Sequence, residues 1–367
     1  MTASGPFRTV LMAGVAALVI PATLSVPAAA QAPAESGAPA AAKPATPPAK
    51  PATPAARANP LPPARASKPA AAPPAAPTSS LVRPGVEPDL AYGAYQRGYF
   101  LTAFAEATRR VDEKADPRAM TLLGELYSSG VGIPQNDAKA VEWYRLAAER
   151  GDRDAMFALA LFHMTGRGGL HDRTEGARLF AEAAKLGHPA AAYDLGLLYL
   201  EGQQFPSDFG RAAELFRAAA EVGSPEAQYA LATLYKDGRG VEKNEAEAAR
   251  LLAAAALAEN SDAEVEYAIA LYNGTGVTKD ETRALALFRK AALRGSPIAQ
   301  NRLARIYSIG RGGTPNPVEA VKWHLIAKAG GDNDPYLEKY TADQPEAVRA
   351  AAQRAAGPWL GVRQPKS

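Results

Sequence analysis

The side chains that could carry chemistry in this chain are few, and they are not arranged for catalysis. Four histidines and no cysteine are present, which excludes a thiol nucleophile, a thiolate zinc site and a disulfide. No G-x-S-x-G, G-x-x-x-x-G-K-[ST] or H-E-x-x-H pattern occurs. His163 and His171 could approach each other, but the four histidines are too few and too scattered for a metal site. The sequence therefore predicts no enzyme, no cofactor and no metal.

These side chains lie within six copies of a 36-residue pattern in which small residues keep fixed positions. Alanines and glycines mark it: Ala119, Ala155, Ala191, Ala227, Ala263 and Ala299; Gly130, Gly166, Gly202, Gly238, Gly274 and Gly310; Ala147, Ala183, Ala219, Ala255, Ala291 and Ala327. A repeat of this length with small residues at fixed positions indicates a stack of two-helix units.

Capping residues predict where the two helices of each unit begin. Asp116 is an N-cap before Pro117 at the first helical position, and Asn136 caps the second helix. Asparagine or aspartate recurs at this second cap in every repeat: Asp172, Asp208, Asn244, Asp280 and Asn316. The fourth repeat ends in Glu259 where the others have glycine, so its exit turn is expected to differ. The loop Gln203–Pro206 lacks the second loop glycine and is expected to place Phe205 and Pro206 on the surface.

The strings LGELYSSGVGIPQNDAKAVEWYRLAAERGD (Leu123 to Asp152) and YALATLYKDGRGVEKNEAEAARLLAAAA (Tyr229 to Ala256) resemble Sel1-like repeats, the bacterial relatives of tetratricopeptide repeats. The resemblance covers about residues 117–331. It implies an all-α, right-handed superhelical solenoid of two-helix repeats that scaffolds protein complexes, often in the bacterial envelope. Secreted relatives proposed to bind peptidoglycan-derived ligands lock their repeats with cysteine pairs, which this chain lacks.

The N-terminal residues have the pattern of an export signal. Arg8 precedes a small-apolar run from Val10 to Ile20, and the small side chains of Ala28 and Ala30 fit a signal-peptidase pocket. Residues 1–30 are therefore predicted to be a signal peptide cleaved after Ala30, which would place the mature protein in the periplasm with no membrane insertion. The alternative is an uncleaved N-terminal anchor.

The segments that flank the repeats complete the predicted organisation. Residues 31–80 are rich in proline and alanine and are predicted to be a disordered linker. This linker is either a passive spacer or a stalk whose scattered cations touch an anionic envelope surface. Residues 81–116 are predicted to be an N-terminal capping hairpin, residues 332–358 C-terminal capping helices and residues 359–367 a disordered tail. The net charge of +3, with no stripe of lysine and arginine, argues against a nucleic-acid partner.

The first helix of each repeat lines the concave surface in superhelices of this type, which points to a candidate binding groove. Positions on that helix are apolar in the middle repeats and polar in the outer ones. The predicted partner-binding residues are Phe157, Leu161, Met164, Tyr193, Leu197, Leu200, Tyr229, Ile269 and Tyr272. Two interpretations remain open. Phe157, Tyr193 and Tyr229 are expected to pack against the neighbouring helix, whereas Leu161, Met164, Leu197 and Leu200 are expected to be exposed.

The resulting expectation is an exported, non-enzymatic scaffold or adaptor of the bacterial cell envelope that holds a protein partner in this groove. The partner would present an amphipathic helix or an extended peptide. In a regulatory form of this function, the scaffold would restrain a signalling protein as its partner. The competing interpretation is a peptidoglycan-fragment binding protein or a cell-wall hydrolase.

Overall fold

The computed structural model describes residues 89–311 and 314–361, and these ranges are helical with no β-strand. The predicted signal peptide, the linker and all but the first three residues of the predicted C-terminal tail lie outside them. Sixteen α-helices follow in order: α1 Leu90–Gln96, α2 Phe100–Lys114, α3 Pro117–Ser129, α4 Asp137–Glu149, α5 Arg153–Thr165, α6 Arg173–Lys185, α7 Pro189–Glu201, α8 Phe209–Glu221, α9 Pro225–Asp237, α10 Glu245–Leu257, α11 Ser261–Asn273, α12 Glu281–Leu293, α13 Pro297–Ile309, α14 Pro317–Ala329, α15 Pro335–Ala342 and α16 Glu346–Leu360.

The repeats are helical hairpins, in which helix A (α3, α5, α7, α9, α11 and α13) is followed by helix B (α4, α6, α8, α10, α12 and α14). Helix A packs against helix B of its own repeat, and helix B packs against helix A of the next repeat. This consecutive pairing makes a solenoid, which confirms the predicted all-α fold. The capping helices α1 and α2 precede the stack, and α15 and α16 follow it.

The predicted N-caps fix the start of every helix B. The side chain of Asn136 accepts a hydrogen bond from the Lys139 N–H at 3.0 Å. The asparagine or aspartate at the same position of the other five repeats makes an equivalent bond. Each bond satisfies one of the N–H groups that the first helical turn leaves unpaired. The caps predicted from the sequence are therefore confirmed.

Small residues on helix A make room for aromatic residues on helix B. An added Cβ at Gly196 would lie 2.5 Å from the ring of Phe216, which is fully buried. Phe180 and Phe288 are fully buried at the same position of their own repeats. The core therefore contains large side chains of helix B, aromatic in most repeats and Leu252 in the fourth, that pack closely against alanine or glycine of helix A.

Two turns differ from the expectations. Glu259 has φ +64°, the same left-handed conformation as the glycine at the equivalent Gly223, φ +89°. The turn is conserved because the Asn260 N–H must still reach the Ala255 carbonyl at 3.0 Å. The expected difference in the exit turn is therefore wrong. Pro206 is exposed as expected, but Phe205 is half-buried, because its ring stacks on that of Tyr199 at 4.9 Å.

The last helix extends past the predicted boundary at residue 358. It ends at Leu360 with Pro358 inside its last turn. Trp359 packs its ring 5.7 Å from that of Trp323 on α14, which holds this last turn against the solenoid. Among the helices described, none is both long enough and apolar enough to span a bilayer.

Candidate functional site

The candidate binding surface is formed by three positions on each helix A, which we call the helix A face. Its first positions are Thr121, Phe157, Tyr193, Tyr229, Val265 and Asn301; its second positions are Glu125, Leu161, Leu197, Thr233, Ile269 and Arg305; its third positions are Ser128, Met164, Leu200, Lys236, Tyr272 and Ser308. Lys236 is exposed, and the other residues of the face are buried or half-buried.

The first position packs against the start of the following helix A. The Phe157 ring stacks on the imidazole of His188 at 4.4 Å, and Thr121 Oγ1 donates to Asp152 Oδ1 at 3.0 Å. Tyr193 and Tyr229 are half-buried, and burial raises the pKa of Tyr229 to about 12. Phe157 therefore packs against the neighbouring helix as expected, and the Tyr193 ring lies 5.6 Å from that of Phe216 on helix B of its own repeat. For Tyr229 such packing stays a prediction.

Polar bridges join neighbouring helices across the outer parts of the face. Tyr95 Oη of α1 donates to Glu125 Oε1 at 2.7 Å, and Lys236 Nζ lies 3.1 Å from Glu266 Oε2. The first bridge joins the capping helix α1 to the first repeat, and the second joins helix A of the fourth repeat to helix A of the fifth. The polar groups in both bridges are therefore already paired.

The C-terminal end of the face is closed by a denser network. Arg305 Nε and Nη2 donate to the Asp334 carboxylate at 2.5 and 2.9 Å, and Asn301 Nδ2 donates to the same group at 3.1 Å. Burial alone would raise the pKa of Asp334, but these hydrogen bonds hold the pKa below its ordinary value. The network fixes α15 on the last repeat.

The middle of the face is apolar, but part of it belongs to the core. Met164 and Leu197 keep only 8 % and 4 % of their surface exposed, so the expectation that they are exposed is wrong. Met164 is covered because helix B of its repeat approaches closely at Gly176, where an added Cβ would lie 3.2 Å from the Met164 side chain. Leu161 and Leu200 are half-buried and keep surface open to solvent.

The remaining predicted residues lie further along the stack. Ile269 and Tyr272 are half-buried, and the Tyr272 ring lies 6.5 Å from that of Phe288. The structure thus leaves partial access at Phe157, Leu161, Tyr193, Leu200, Tyr229, Ile269 and Tyr272. Partner binding by these residues stays a prediction.

The histidines act in packing and capping. Nδ1 of His188 accepts from the Ala191 N–H at 3.0 Å and caps α7, a role that needs the unprotonated ring; burial lowers the pKa of His188 accordingly. His324 is 1 % exposed at the position that Phe288 occupies in the previous repeat, and burial lowers its pKa too. His324 is therefore a packing residue, as its place at an aromatic position of the repeat predicts. Across the described ranges, no group of three histidine or carboxylate side chains could hold a metal ion.

One buried carboxylate was not predicted from the sequence. Glu264 on α11 is 1 % exposed, and its Oε2 lies 2.7 Å from Lys290 Nζ. Gln228 and Gln300 occupy the same position in neighbouring repeats. Comparison of that one position across the repeats, polar in three adjacent copies, would have indicated a buried polar contact.

The comparisons with known proteins agree with this architecture. The Sel1 repeat family model matches six consecutive segments: residues 117–152, 153–188, 189–224, 225–260, 261–296 and 297–332. No curated protein matches the chain in sequence.

Two solved structures have the same fold. A protective antigen of uropathogenic Escherichia coli with an SLR fold is 30 % identical, with a TM-score of 0.63 over 74 % of this chain, and the match spans 60 % of the antigen's length. A Sel1 repeat protein from Oxalobacter formigenes is 27 % identical, with a TM-score of 0.55 over 71 % of this chain and all of its own. Since the matched repeats fill more than half of the sequence, the chain belongs to the Sel1 repeat family.

Proposed function

We propose that this protein is an exported, non-enzymatic scaffold of the bacterial cell envelope that binds a protein partner on the helix A face of its second and third repeats. Stacked repeats present extended surfaces and usually hold other proteins. The export-signal pattern of residues 1–30 supports the periplasmic location. A regulatory form of the same function restrains a signalling protein while it is bound.

The proposal rests on the change from polar to apolar side chains along the helix A face. Polar bridges close its outer parts, at Tyr95–Glu125 and at Arg305–Asp334. Between them, Leu161 and Leu200 keep apolar surface accessible. Apolar surface that remains accessible between polar edges is the usual composition of a docking site.

Serine at both Leu161 and Leu200 is expected to abolish capture of the partner from an envelope fraction while lowering the free energy of unfolding only modestly, by about 1–2 kcal/mol. The physical reason is that both side chains are half-buried, so the folded protein loses little packing. Capture is measured by affinity purification, and stability by urea unfolding.

Leu197→Ser is the matched control, because Leu197 lies one turn from Leu200 on α7 but is buried. Leu197→Ser is expected to lower the free energy of unfolding by about 2–5 kcal/mol. At a temperature where this variant stays folded, it is expected to capture the partner as the natural protein does. Full capture by the double variant would contradict the proposal. Saturable binding of purified peptidoglycan, lost in the double variant, would favour the peptidoglycan-fragment alternative.

A further inference from the structure

The N-cap of α7 differs in chemistry from the N-caps of the other helices A. His188 caps α7, the helix A of the third repeat. Aspartate, serine or asparagine caps the same helix of the other repeats: Asp116, Asp152, Ser224, Asn260 and Ser296. Histidine is the side-chain type whose ordinary pKa, about 6.5, puts its change of charge between about pH 5 and 8. The start of α7 therefore depends on a group that titrates near neutral pH.

Protonation of His188 occurs at the atom that makes the cap. Nδ1 of His188 accepts a hydrogen bond from the Ala191 N–H at 3.0 Å, so in the capped form Nδ1 carries no proton. The second proton of an imidazolium therefore goes to Nδ1, where two donors then face each other and the bond is lost. The positive charge also lies at the N-terminus of α7, where the helix macrodipole disfavours a cation.

The charged groups around His188 do not compensate for this loss. Nε2 of His188 lies 3.5 Å from Asp154 Oδ1 on α5, but the Asp154 side chain is 66 % exposed, so solvent screens the attraction. Arg153 of α5 donates to the two backbone carbonyls that directly precede His188, at 3.0 and 3.1 Å, and repels an imidazolium. On α6 a second cation, Lys185, lies in the last turn, and the first turn of α7 has no acidic residue.

His188 also connects the two helices that carry the accessible leucines of the helix A face. The Phe157 ring of α5 stacks on the His188 imidazole at 4.4 Å, so the residue that caps α7 also contacts α5. Leu161 lies on α5, one turn after Phe157, and Leu200 lies on α7. A change at His188 therefore acts on the junction between the second and third repeats.

We propose that His188 is a pH-sensitive N-cap, whose protonation in mild acid releases the first turn of α7 and loosens the junction between the second and third repeats. The proposal concerns the fold and does not rest on the function proposed for the helix A face. It has a consequence for that function, because a partner that contacts both Leu161 and Leu200 would bind more weakly in acid.

The direction of the pH dependence follows from the burial of the ring. Burial lowers the pKa of His188 in the capped form, and opening of the turn exposes the ring and restores the ordinary pKa of about 6.5. The open form therefore binds more protons than the capped form as the pH falls below about 6.5. Above that pH the cap is fully present, and below it the equilibrium shifts toward the open form.

Hydrogen exchange of the Ala191 amide, measured by NMR at about pH 7.5 and about pH 5.5, tests the proposal. Once corrected for the intrinsic exchange rate, the protection of this amide is expected to fall about fivefold in acid, because opening takes up one proton. The Ala263 amide, which Asn260 caps at 2.9 Å, is expected to keep its protection in the same sample. Unchanged protection at Ala191, or an equal fall at Ala263, would overturn the proposal.

Two variants separate the cap from its titration. His188→Asn is the matched control, because asparagine caps this position in the fifth repeat and does not titrate. It is expected to keep the protection of the Ala191 amide within about twofold at both pH values. His188→Ala removes the cap at any pH and is expected to lower that protection about fivefold even at about pH 7.5. A fivefold acid-dependent fall in His188→Asn, or full protection in His188→Ala, would show that His188 is not the pH-sensitive group.

Discussion

Gly276→Ala is expected to lower the free energy of unfolding by about 3–5 kcal/mol, an exceptional loss for one methyl group. Gly276 has φ +67°, a conformation that costs an alanine about 1–2 kcal/mol. An added Cβ would also lie 1.9 Å from the carbonyl oxygen of Glu245, at the start of helix B of the preceding repeat. Backbone atoms cannot move aside without separating the two repeats, which adds an overpacking cost. Urea unfolding measures the loss.

Gly295→Ala is the matched control for this prediction. Gly295 has φ +93°, yet an added Cβ would meet no atom within 4 Å. Gly295→Ala should therefore lower the free energy of unfolding only by the cost of the left-handed backbone conformation, about 1–2 kcal/mol. Equal losses in the two variants would show that the loop of one repeat does not rest on the helix B of the repeat before it.

Lys290→Met is expected to lower the free energy of unfolding by about 2–4 kcal/mol, because it removes the closest partner of a buried carboxylate. Glu264 is 1 % exposed, its Oε2 lies 2.7 Å from Lys290 Nζ, and its Oε1 has no hydrogen-bond partner. Arg294 Nη1 is 3.5 Å away and compensates in part. Lys290 is half-exposed, which places the expected loss toward the lower end of the range.

A double-mutant cycle separates loss of the ion pair from loss of packing. Gln300 stands at the position of Glu264 in the next repeat, and its Nε2 donates to the Ala292 carbonyl at 3.1 Å. Glu264→Gln is therefore expected to be tolerated, and it should remove most of the cost of Lys290→Met when the two are combined. If Lys290→Met costs the same in both backgrounds, the carboxylate is not what Lys290 stabilises. Urea unfolding of all four proteins provides the comparison.

Features that depend on local sequence could be predicted from the sequence alone. The cap at Asn136 depends on a side chain and an N–H three residues away, so its residue type predicts it. The 36-residue period predicts the pairing of helices in the same way, because every copy repeats the same small and apolar positions. These signals account for the solenoid.

Burial on the helix A face could not be predicted, because it depends on how closely other helices approach. Leu161 and Leu197 share one position of the repeat, yet Leu161 is half-buried and Leu197 is buried. Met164 is covered because Gly176 on the facing helix has no side chain. Such effects require the distances between helices.

Photo-crosslinking in cells is the most direct test of the claim that the helix A face of the second and third repeats holds a protein. A photo-reactive phenylalanine derivative is placed at Leu161, at Leu200 or, as a control, at Leu257, which is 83 % exposed at the end of α10. We predict one discrete crosslinked protein from positions 161 and 200 and none from position 257. Crosslinks from position 257 alone, or none from positions 161 and 200, would contradict the claim.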